Sequence, residues 1–151
     1  ERCELEVYIP DNVDVVLYPR DCLIAHEEQH IRDLQGRNVC KKDESGCCKD
    51  AGLFPDASDY GGRENLKNSE CEAYLVTASC CAKKARMLQR VGAATYTEMV
   101  SLRRWVVAAR DTANAKLGII IGEFGSTCNN QAAFNRLLEE IDAYFIRKEG
   151  K

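Results

Sequence analysis

Residues 26–30 read HEEQH and hold both histidines of a 151-residue chain. An α-helix turns about 100° per residue, so positions i and i+4 stack on one face. His26 and His30 can therefore turn two ring nitrogens toward one point. Imidazole nitrogen is a favoured ligand of zinc, and such a pair presents two of them to a single ion. Glu27 lies about 100° round the helix from His26, too far to be a third ligand. It is placed instead to hold a water at the ion and take its proton. Such a water attacks a carbonyl that the metal polarises.

The surrounding register agrees with this chemistry. Leu23, Ile24, Ile31 and Leu34 fall on the same side of a helix as His26, Glu27 and His30, while Glu28, Gln29, Arg32 and Gln35 fall opposite. A carboxylate inside an apolar stripe costs several kcal/mol of desolvation unless a positive charge offsets it. No lysine or arginine shares the stripe, and a divalent cation would supply the charge. The plainer alternative is a surface helix carrying two solvated histidines.

Catalytic zinc takes three protein ligands and keeps one position open. With no third histidine, the remaining ligand has to be a carboxylate or a cysteine. HEEQH matches the H-E-x-x-H motif in full, and the sequence resembles the gluzincin, thermolysin-like group of zinc peptidases. In that group a glutamate from a later helix completes the site. The resemblance directs attention to NSECEAYLVTASCC at 68–81, where Glu72 followed by Ala73 looks like the Glu-Ala pair of that helix. Glu70 and Glu72 lie about 160° apart on a helix, so only one can face an ion. Val76, Ser79 and Cys80 share the face of Glu72, and this register favours Glu72 over Glu70. A competing reading has Glu72 capping a helix that begins at Ser69, since Ser69-x-x-Glu72 is itself a capping-box pattern. The chain departs from the thermolysin-like pattern in a longer stretch between His30 and Glu72. It also lacks a histidine to stabilise the oxyanion. Tyr60 and Arg63, in DYGGREN at 59–65, are the candidates for that task, although an exposed loop is the plainer reading of this stretch.

The elements that must carry these residues follow from patterning. CELEVYI at 3–9 and VDVVLY at 13–18 flank the turn signal PDN and predict an N-terminal β-hairpin. Pro19, Arg20 and Asp21 open the motif helix, which should run to about Gly36. Residues 38–66 have no lasting periodicity and read as a long loop insertion. Helices are expected from about Leu66 to Val91, from the capping-box pattern Thr95-x-x-Glu98 to about Leu117, and from about Asn130 to Lys148. GIIIGEF at 118–124 reads equally as a short strand or a buried turn. Trp105, in SLRRWVVAARD, follows a helical period that suits core packing, with Arg103, Arg104 and Arg110 on a solvated face. The expected fold class is therefore α+β, mostly helical: a β-hairpin followed by about four helices in one domain over residues 1–151.

Nine cysteines without any C-x-x-C spacing weaken a cysteine-zinc reading and favour disulfides in an oxidising compartment. Cys80 and Cys81 point about 100° apart on one helix and cannot readily bond each other. Two separate bridges, one of them reaching Cys128, are expected. Glu1 stands where a starting methionine would, which suggests a processed secreted or periplasmic protein, or a domain of a longer chain. With 21 basic and 24 acidic residues well mixed, neither a nucleic-acid footprint nor a polybasic membrane patch stands out. No apolar run is long enough for a membrane span.

Together these features lead to a zinc-dependent hydrolase, with a protein or peptide as substrate. His26, His30 and Glu72 would hold Zn2+, and Glu27 would act as general base. The resemblance extends to catalytic domains of secreted bacterial toxins and effectors, which implies an inhibitor or immunity protein as a partner. The rival reading is a secreted, disulfide-stapled helical binding module with no catalysis or only a structural metal.

Overall fold

The computed structural model describes residues 18–36 and 60–149. Four helices make up its regular structure: α1 Arg20–Gly36, α2 Arg63–Arg90, α3 Tyr96–Ile121 and α4 Gln131–Glu149. Among the described residues there is no strand, so the α+β expectation is corrected to an all-helical, four-helix fold. The expected hairpin strands at 3–9 and 13–18 lie outside the described residues, except for Tyr18. That side chain is buried at a bend just before α1. GIIIGEF is corrected as well: α3 runs on through Ile121 and stops at Gly122, whose φ of 75° is the left-handed conformation that favours glycine at a helix end. Ile119 is 80% exposed, so this β-branched run does not mark a buried strand. Of the loop expected at 38–66, residues 63–66 already belong to α2.

Helix starts have identifiable causes. The Thr95 hydroxyl accepts from the Glu98 backbone N–H at 3.1 Å and donates to the Glu98 carboxylate at 2.9 Å, which closes the expected capping box. Pro19 precedes α1, and its carbonyl accepts from the N–H groups of Cys22 and Leu23. α2 begins six residues before Ser69, after Gly62, so Glu72 caps nothing.

α2 is the central element and packs against α1, α3 and α4; α3 and α4 also pack on each other. Cross-helix pairs fix the directions. Cys22–Cys80 and His30–Ser69 make α1 antiparallel to α2, and Arg103–Asp142 with Asn114–Gln131 makes α3 antiparallel to α4. Arg86–Glu140 and Gln89–Arg147 set α4 parallel to α2. The core between α2, α3 and α4 is led by Met99, Val106, Phe134 and Ile141, each almost fully buried and worth roughly 1.5–3 kcal/mol in apolar burial. Trp105 is half-buried against this core, as its helical period implied. α2 meets its neighbours through small side chains, Ala73, Ala78, Ala82 and Ala85, which allow close helix approach.

Among the described residues, two disulfides staple the helices, Cys22–Cys80 between α1 and α2, and Cys71–Cys128 between α2 and the segment leading into α4. Cys80 and Cys81 do not bond each other, as their angular separation required. The bridge to Cys128 comes from Cys71, and Cys81 is not bridged. It is a free, fully buried thiol whose pKa burial pushes up to about 12. No helix among the described residues is long and apolar enough to cross a membrane.

Candidate metal centre

The antiparallel contact of α1 with α2 brings the two histidines against a face of α2 formed by Ser69, Ala73 and Thr77, spaced one turn apart. Both imidazoles are buried, 6% exposed at His26 and 7% at His30. Their Nε2 atoms face each other at 3.2 Å. Oε1 of Glu70 lies 3.2 Å from His30 Nε2, and one ligand atom from each of the three residues lies within 4.8 Å of the others.

With both rings neutral, the hydroxyl partners favour one placement of the ring protons. Ser69 Oγ donates to Asp33 Oδ2 at 2.6 Å, so its oxygen is left to accept from Nδ1–H of His30 at 2.8 Å. Thr77 Oγ1 donates to the Ala73 carbonyl at 3.2 Å and accepts from Nδ1–H of His26 at 3.1 Å. Each ring is thereby protonated on the nitrogen remote from its neighbour. The two Nε2 atoms and the Glu70 carboxylate then converge as acceptors. Such an arrangement calls for a cation between them, a proton or a metal ion. Two zinc ligands at about 2.0–2.1 Å and a tetrahedral angle sit about 3.3 Å apart. The 3.2 Å separations of His30 Nε2 from His26 Nε2 and from Glu70 Oε1 match that spacing, and the whole set lies within 4.8 Å.

The electrostatics agree. Burial and the neighbouring His30 depress the pKa of His26 to about 4, which keeps the ring neutral and able to coordinate at neutral pH. Burial alone would raise the Glu70 carboxyl. A hydrogen bond and positive charge from His30, which require a proton on its Nε2 where a metal ion would otherwise sit, outweigh it with help from Lys116 and hold the carboxyl below its usual range. Glu70 Oε2 is nonetheless buried without a hydrogen bond. Lys116 Nζ, 3.5 Å away, is within ion-pair reach only. The same ammonium lies over the Tyr74 ring, 5.2 Å from its centroid. Tyr74 packs edge-on against His26 and Tyr60 against His30, with ring centroids 4.5 and 5.9 Å apart.

The motif residues therefore divide. His26 and His30 meet as the helical spacing required. Glu27, half-exposed, has its carboxylate 3.9 Å from His26 Nε2, on the solvent side of the cluster. Glu72, which the register favoured, is exposed, and the structure brings Glu70 to the histidines in its place. Of the two oxyanion candidates, Tyr60 is 1% exposed beside His30, whereas Arg63 is exposed at the start of α2. Thr77, Asp33, Tyr74 and Lys116 were not singled out from sequence, and Ser69 was read only as a possible helix start. Only Ser69 and Thr77 carried a hint, as hydroxyls in register with Ala73 on one helix face. A second trio, Asp21, Cys22 and Cys80, also clusters, but both sulfurs are consumed in their own bridge. No protein-family model, curated protein or solved structure matches this chain.

Proposed function

We propose that the chain is a zinc-dependent hydrolase of amide bonds, most simply a peptidase, with His26, His30 and Glu70 holding the ion and Glu27 as general base. The observation that carries this reading is the convergence of two imidazole nitrogens and a carboxylate oxygen, with His30 Nε2 3.2 Å from each of the other two, and a hydroxyl within hydrogen-bond reach of the far nitrogen of each ring. When bound, zinc supplies a Lewis acid that polarises a carbonyl and acidifies water. The protein supplies the remainder. Glu27 is close enough to His26 Nε2 to accept a proton from water at the open side, and exposed enough to pass it on to a leaving amine. Tyr74 and Tyr60 wall the imidazoles and keep their orientation. The two disulfides support a secreted or periplasmic setting.

Metal analysis of the purified protein, followed by hydrolysis of casein by wild type and Glu27→Gln, tests the assignment. About one zinc per chain is expected, with the variant keeping the metal and losing hydrolysis by two or more orders of magnitude. A protein that stays metal-free after expression with zinc refutes it.

A second reading is favoured by the near-complete burial of both imidazoles. In it the same three side chains hold a structural ion that clasps α1 to α2 in a helical binding module. Full zinc content with no hydrolysis by wild type, and no effect of Glu27→Gln, would select this reading.

A further inference from the structure

We infer that Asp33 and Ser69 are positioning residues for the metal, acting through His30 to set which of its nitrogens is free to coordinate. The inference rests on the metal reading above. His30 Nδ1 lies 2.8 Å from Ser69 Oγ, and Ser69 Oγ lies 2.6 Å from Asp33 Oδ2. A hydroxyl–carboxylate bond of that length is charge-assisted and about twice as strong as a neutral one. The hydroxyl proton therefore belongs to Asp33, and Ser69 is an obligatory acceptor toward the ring. Asp33 is itself held in place. Its other oxygen accepts from Gln29 Nε2 at 3.2 Å, and Gln29 Oε1 accepts from Arg32 at 2.7 Å. One line of bonds thus runs from exposed Arg32 to a buried imidazole, through Gln29 and Asp33 of α1 and Ser69 of α2.

The two histidines are not held alike. The hydroxyl beside His26 ends its chain on the neutral Ala73 carbonyl, whereas that beside His30 ends on a carboxylate. A carboxylate behind the imidazole makes it the stronger donor to a metal, and partners of this kind are worth 10–100-fold in affinity. Without Asp33 the Ser69 hydroxyl is free to turn its proton on Nδ1. The ring proton then moves to Nε2, where Glu70 Oε1 at 3.2 Å accepts it and the coordinating lone pair is lost.

The test uses the full chain, labelled with 15N, because its only two imidazoles give separable ring-nitrogen signals. In the zinc-free protein, with both rings neutral, His30 is expected to carry its proton on Nδ1. Asp33→Ala should move it to Nε2 while His26 is unchanged. Zinc affinity, read by competition with a chromophoric chelator, should fall by roughly 10–100-fold. Asp33→Asn keeps an accepting oxygen but not the charge, and should retain the wild-type ring pattern with a zinc affinity between those of wild type and Asp33→Ala, which a merely structural role for Asp33 would not require. A wild-type His30 without a proton on Nδ1 overturns the relay. Equal zinc affinity in wild type and Asp33→Ala overturns it too, and leaves the metal reading standing. A wild-type chain that takes up no zinc overturns both.

Discussion

Replacing Glu70 by glutamine exchanges one buried oxygen for an amide nitrogen without changing shape, and it isolates the third ligand. Structural zinc sites are worth about 10–16 kcal/mol; shared over three protein ligands, that is roughly 3–5 kcal/mol each, or a 100-fold or larger loss of affinity for Glu70→Gln. Thermal unfolding with and without zinc reads this directly. At free zinc 100 times the wild-type dissociation constant, binding stabilises the fold by about 2.7 kcal/mol. That corresponds to about 5–11 °C in melting temperature for a domain of this size. In Glu70→Gln the same concentration only equals the weakened constant, and the stabilisation drops to about 0.4 kcal/mol, a shift of about 1–2 °C. The zinc-free melting temperature should change less than this, because Lys116 is a half-exposed ion-pair partner and a glutamine amide can still hydrogen-bond His30 Nε2 in place of Glu70 Oε1. Glu72→Gln, on the exposed side of α2, should keep the full zinc shift. A full shift in Glu70→Gln together with its loss in Glu72→Gln would refute the geometry described for the centre.

Two further outcomes are expected. His26 has a folded pKa of about 4 against an ordinary 6.5, so between these values the unfolded chain binds more protons than the folded one. Stability of the zinc-free protein should be fully present above pH 6.5 and fall by roughly 3 kcal/mol as pH drops to 4, measured by urea unfolding; His26→Gln should flatten that slope, and an unchanged slope would contradict the burial argument. Removing the Cys22–Cys80 bridge by a double Cys→Ala substitution frees a loop of 58 residues, worth about 4 kcal/mol by chain entropy. Since Cys22 lies one turn before His26, zinc affinity should fall as well, and an affinity equal to wild type would show that α1 is held to α2 without the bridge.

The helical skeleton was largely legible because its signals are local. The Thr95–Glu98 box, Pro19 ahead of α1 and the motif register are settled within a few residues of chain. GIIIGEF misled because an isolated run of isoleucines looks alike whether it extends a helix or forms a strand. The carboxylate that meets the histidines was not the one the register favoured, for a related reason. Sequence register picks out a packing face by its small or apolar side chains, and Val76, Ser79 and Cys80 gave the face of Glu72 that mark. The face that α2 turns to the histidines is instead made of Ser69, Ala73 and Thr77, small enough for α1 to approach. Lys116 and Asp33 become meaningful only once three helices are paired, and no spacing within one helix encodes that pairing.

The unbridged thiol at Cys81 has a consequence for the staple next to it. Thiol–disulfide exchange needs a thiolate, and an ordinary cysteine at pH 7 is ionised to a few per cent. With its pKa pushed up to about 12, Cys81 is ionised to roughly one part in 100,000. Attack on the adjacent Cys80 sulfur is slowed accordingly. Reshuffling is therefore confined to states in which α2 is not yet packed, and the mature fold keeps an odd sulfur without scrambling its cross-links.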